Sequence, residues 1–143
     1  MCPHVNSHPE VLNSILALAL LTTSCSFHDA QVIELDHSGG KIDLGAQLQE
    51  NWDRVCFLMP YSTSKQAKEL LGFSYSPELH SAMTYMDDRT LLVTILGDEV
   101  VGSFEVMRKT ADFTQFGPGC YQHSRAVFNY ELKEGGWNEI SAT

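Results

Sequence analysis

The run from Val11 to Leu21, "VLNSILALALL", limits what this chain can fold into, because it decides how much of the chain remains to fold. It is apolar except at Asn13 and Ser14, and unbroken from Ile15 to Leu21. A helix needs about 20 apolar residues to cross a bilayer, and this run falls well short of that. A surface helix of a small domain should show a polar face, and this run has none. It ends in small residues and a cysteine, "LTTSC", Leu21 to Cys25. That is the arrangement of a processing site behind a secretory apolar segment. Residues 1–24 are therefore read as an export signal and 25–143 as one folded domain. A retained N-terminal core helix is the alternative.

The end of the run resembles the lipobox of bacterial lipoproteins, in which a small residue precedes a cysteine that is lipidated and becomes the new N-terminus. The resemblance puts the cut after Ser24 and the lipid on Cys25. Thr22 stands where the family usually has Leu, Val or Ile, and the first basic residue is Lys41, so the customary positive start is absent. What the resemblance implies is a membrane-anchored lipoprotein of the bacterial cell envelope, facing the periplasm.

With 143 residues the chain has room for one domain. A hydrophobic fraction of 43% and a charged fraction of 19% are those of a globular protein, not a disordered one. Eighteen Asp and Glu against nine Lys and Arg give a net charge of −9. No Lys/Arg cluster interrupts this acidity, so phosphate backbones are repelled and no nucleic-acid partner is expected.

There are four cysteines, at positions 2, 25, 56 and 120. If Cys2 is removed and Cys25 is lipidated, Cys56 and Cys120 are left free to bond in an oxidising compartment. Two buried free thiols are the alternative, since cysteine packs well as a small hydrophobe.

Beyond Cys25, the residues up to Ala30 read as a tether. Strands are expected at Gln31 to Asp36, weakly at Ile42 to Leu48, and at Arg54 to Met59, where "RVCFLM" reads as a buried central strand. "YSTSKQAKELLGF" is the helix, capped by Ser62 or Ser64, with an apolar stripe of Ala67, Leu70 and Leu71 and a stop at Gly72. Three further strands are expected at Ser81 to Met86, Leu91 to Leu96 and Glu99 to Met107, with a Gly97-Asp98 hairpin loop between the last two. Thr110 to Gln122 reads as a long loop, and Ala126 to Leu132 as a last strand. The fold expected is α+β: an antiparallel sheet of five to six strands with one short helix packed on a face.

Few residues suggest chemistry. "YMDD", Tyr85 to Asp88, matches the hairpin-tip string of reverse transcriptases, but an acidic chain of this size lacks the nucleic-acid grip. The two aspartates read as an ordinary turn. The histidines show no zinc-type spacing, and no phosphate loop or nucleophile elbow occurs. No catalytic residue, metal site or cofactor is expected. Trp52, beside Asp53 and Arg54, and Phe113, Phe116 and Tyr121 in the long loop are the candidate binding residues, because exposed aromatics anchor interfaces. The competing role for all four is core packing.

From Trp52 onward the chain resembles a family of small, uncharacterised lipoproteins of Gram-negative bacteria. The likeness lies in "WDRVCFLMPYS", "LGF" at Leu71 to Phe73, "LLVTILGDEVVGSFE" and "DFTQFGPGC" at Asp112 to Cys120. It implies an envelope location and a Cys56–Cys120 pair, and no activity. The expected function is a lipid-anchored module that binds an envelope protein or ligand. An inhibitor or immunity protein against an envelope hydrolase or toxin is the second expectation, and a small enzyme or metal-binding protein the third.

Overall fold

The computed structural model describes residues 29–48 and 51–143. The export segment and Cys25 lie outside them, as does most of the tether. The strands are β1 (Gln31–Ile33), β2 (Lys41–Asp43), β3 (Arg54–Leu58), β4 (Arg89–Leu96), β5 (Glu99–Met107), β6 (Gly119–Gln122), β7 (Val127–Leu132) and β8 (Asn138–Ala142). The helices are a single turn, α1 (Leu44–Gln47), and the main helix α2 (Ser64–Leu71). Five strands form one sheet in the order β1-β5-β4-β3-β6, and three form a second in the order β2-β7-β8.

Strand β4 explains the layering. Its "RTLLVTIL" is apolar almost without alternation, so it is stable only if both faces are covered. Leu92 joins a core with Val55, Phe57, Phe104 and Val106 of its own sheet and Ile42, Phe128 and Ile140 of the second sheet. Leu91, Val93 and Ile95 join a separate core with Cys56, Leu58, Met83, and Ala67 and Leu71 of α2. The five-stranded sheet is thus sandwiched between the small sheet and α2. The expected single sheet becomes two, because the residues after Ala126 fold back as a hairpin over the first core.

The α+β class stands, and the details shift for local reasons. Strand β4, not β3, is central, although β3 pairs on both sides. The sheet is mixed, because β1 runs parallel to β5 with Gln31 opposite Phe104. The weak strand expected from Ile42 stops after Asp43, whose carboxylate accepts from the Ala46 N–H at 3.1 Å and starts α1. The strand expected over Ser81 to Met86 is a 3-10 turn, Ala82–Thr84. There the Ser81 hydroxyl accepts from the Met83 N–H and donates to Glu105, displacing a ladder. The helix is capped by Thr63 rather than by a serine: its side chain accepts from the Gln66 N–H while Gln66 accepts from the Thr63 N–H. Gly72 closes it at φ 85°.

A β-bulge marks the β4–β5 hairpin: Thr94 faces Gly102, but Ile95 faces Val100. A side chain at Gly102 would meet Thr94 Oγ1 at 2.6 Å and the Phe104 ring at 2.8 Å. Glycine is therefore what lets Phe104 lie along the strand. The long loop is also more ordered than expected. It holds a 3-10 turn, Phe113–Phe116, and then β6, which pairs with β3.

Candidate functional site

The four aromatic residues singled out in the sequence are core residues. Trp52 is 3% exposed, donates its indole N–H to the Leu48 carbonyl at 3.2 Å and lies 4.3 Å from the His123 ring. Phe113 is fully buried, 4.8 Å from Phe57. Phe116 and Tyr121 are half-buried on the same cluster, each 5.2 Å from Phe128. Burial raises the Tyr121 phenol pKa. Of the two roles weighed for these aromatics, core packing is the one the structure shows. Pairing of β6 with β3 sets Tyr121 opposite Val55 and turns its ring into the first core.

The same register joins Cys56 and Cys120. They sit directly opposite each other across β3 and β6, with Cα atoms 4.0 Å apart, and form a disulfide. Cys56 is buried in the second core and Cys120 lies at the exposed sheet edge.

Charged residues near the ends of β4 and β5 are occupied by structural work. Glu105 is buried and accepts from Arg89 at 2.7 Å, from the Ser81 hydroxyl at 2.6 Å and from the Ala82 N–H at 3.0 Å. Arg89 also donates to Asp88, which raises the guanidinium pKa and lowers that of the carboxyl. Asp112 is buried, which favours its neutral form. Paired hydrogen bonds from Arg108 and bonds from Thr114 outweigh that and lower its pKa. Asn138 locks this loop to β8 by accepting from the Asp112 N–H and donating to the Arg108 carbonyl. Among the described residues no group of three or more His, Cys, Asp or Glu is placed to hold a metal ion.

One of several clefts among the described residues, of about 570 Å³, lies between the start of β4, the end of β5 and the β7–β8 hairpin. Its walls include Asp87, Arg108, Lys109, Gly136, Trp137 and Asn138. Trp137 is 71% exposed. Its backbone is nevertheless held in place. The Lys133 N–H donates to the Trp137 carbonyl at 2.7 Å, and Lys133 pairs with Glu131 and Glu139 across the hairpin. Gly135 and Gly136, both at positive φ, make the turn that carries the ring outward. Arg108 is taken by Asp112 and by the Asp87 carbonyl, so the Trp137 ring, the Lys109 ammonium and the Asp87 carboxylate are the groups offered to solvent.

The "YMDD" segment forms the wall between this cleft and another. Asp87 and Asp88 line the first, while Tyr85 lines a cleft of about 430 Å³ with Tyr61 and the start of α2. Trp137 and Tyr61 had no periodic pattern to betray them. The one signal was a tryptophan directly behind a Gly-Gly turn. Comparison with protein-family models, curated proteins and solved structures finds no match.

Proposed function

We propose that this chain is a small binding module of the bacterial envelope, anchored by lipid at Cys25 and facing the periplasm, with the Trp137 cleft as its contact surface. A single observation carries the choice of surface: a tryptophan held by a braced hairpin yet left 71% exposed. Eight other aromatics already fill or flank the first core, so Trp137 is not needed there. Tryptophan is the side chain that gains most from covering at an interface, and Lys109 and Asp87 beside it supply charge on both sides. The lipobox-like end and the Cys56–Cys120 disulfide support the compartment.

The acidic balance favours a second reading, an inhibitor or immunity protein that meets a basic active site. The test serves both. Tagged full-length protein and Trp137→Ala are used to capture partners from detergent-solubilised envelope, with melting measured in parallel. The expected result is loss of a specific partner with the melt unchanged. Retention of that partner by Trp137→Ala contradicts the choice of surface, and a basic hydrolase as the partner favours the second reading.

A further inference from the structure

We infer that the cleft between Tyr61 and Tyr85 is a second binding site, which takes a neutral saccharide. Tyr61 is the only non-glycine residue at positive φ among the described residues, at 63°. Left-handed backbone is unfavourable for a bulky side chain, and it persists where its surroundings enforce it. Here the Tyr61 N–H donates to the Met83 carbonyl at 2.8 Å and fixes the turn after β3. The ring so placed is 57% exposed, so core packing does not repay the strain. Tyr85, 76% exposed, lines the same cleft.

The polar walls choose among ligands. Ser62 donates its hydroxyl proton to the Met59 carbonyl at 2.7 Å, Thr63 donates to Gln66, and Ser64 donates to Glu78. A hydroxyl has one proton and two lone pairs. Ser62 is buried and Thr63 Oγ1 already accepts from the Gln66 N–H, so with its proton directed at Glu78 it is chiefly the Ser64 hydroxyl that offers oxygen lone pairs to the cleft. Glu78 lines it as well and adds negative charge. The Glu78 carboxylate and the Lys65 ammonium together leave the wall without net charge, which suits a neutral ligand rich in hydroxyl groups. Thr84 also lines the cleft, and its Oγ1 is buried without a hydrogen-bond partner among the described residues. Thr90 and Thr94 of β4 are in the same state, so this atom adds nothing to the choice of ligand. Lys65 supplies donors for ring or carbonyl oxygens. Two exposed phenol rings line the same cleft, and an aromatic ring is a surface on which the C–H face of a sugar can lie. A cleft of about 430 Å³ fits one or two rings of a longer chain.

The test is calorimetric titration of the full chain, in detergent, with three neutral probes: a β-linked N-acetylglucosamine tetramer, maltotetraose and cellotetraose. At least one should bind saturably. Tyr61→Gly removes the ring and the strain together. It should melt no lower than the parent while weakening binding at least about tenfold, a loss that Tyr85→Ala should share. Trp137→Ala should bind the saccharide unchanged. The inference is overturned if none of the probes binds up to about 10 mM. Undiminished binding by Tyr61→Gly also overturns it, as does loss of saccharide binding in Trp137→Ala.

Discussion

At the scale of single residues, the aromatics of this protein divide by what they touch. Phe57, Phe113 and Phe128 are fully or almost fully buried and lie within 4.8 to 5.7 Å of one another. Removing a ring from such a cluster costs the transfer of its surface to water and leaves a cavity, because the neighbours relax only in part. Phe113→Ala should therefore destabilise the protein by about 3–5 kcal/mol in urea unfolding. Trp137→Ala, with its ring already in water, should change stability by no more than about 0.5 kcal/mol. A large effect of Trp137→Ala would mean that the hairpin depends on the ring, and would remove the reason for placing a contact surface there. The sequence could name Phe113, Phe116, Tyr121 and Trp52 as important, but not as inner or outer. For Tyr121 that depends on the β3–β6 register, and for Trp52, Phe113 and Phe116 on how the segments beside those strands fold onto the sheet; no local pattern encodes either.

At the scale of elements, legibility followed the strength of local patterns. Strands β3, β4 and β5 were readable because continuous apolar or β-branched runs have few other stable fates. The helix was readable from its apolar stripe and from Gly72. Short elements were not, because side-chain hydrogen bonds decided them. Asp43 turned a weak strand into α1, and Ser81 turned an expected strand into a 3-10 turn. Strand β8 carries one buried apolar residue, Ile140, and depends on β7 for its existence. Strand β6 is similarly short and lies at a sheet edge, where the disulfide holds it to β3. The bond spans 64 residues, for which the chain-entropy account gives about 4 kcal/mol. Cys120→Ser, at an exposed position, should lose about that much. Cys56→Ser should lose more, because it also places a hydroxyl in the second core. Denaturant melts of the two variants check the order; equal losses would mean that the Cys56 environment tolerates a polar group.

At the scale of the whole molecule, the five-stranded sheet is covered on both faces, by the small sheet and by α2. Recognition is thereby left to edges and loops. Both clefts open at the same segment, Tyr85 to Asp88, so a ligand in one and a partner in the other would be neighbours. The start of the folded part is pinned, since the Ala30 N–H donates to the His80 carbonyl at 2.8 Å. From Cys25 to Ala30 an extended chain reaches only about 17 Å. A lipid on Cys25 would therefore hold the domain close to the bilayer and restrict its partners to those near that surface. The anchor is tested most directly by intact-mass spectrometry of the protein recovered from its native envelope without reduction. The expected species begins at an acylated Cys25 and is two hydrogen atoms lighter than the thiol form, with Cys56 and Cys120 joined. An unmodified species beginning at Met1 would contradict it.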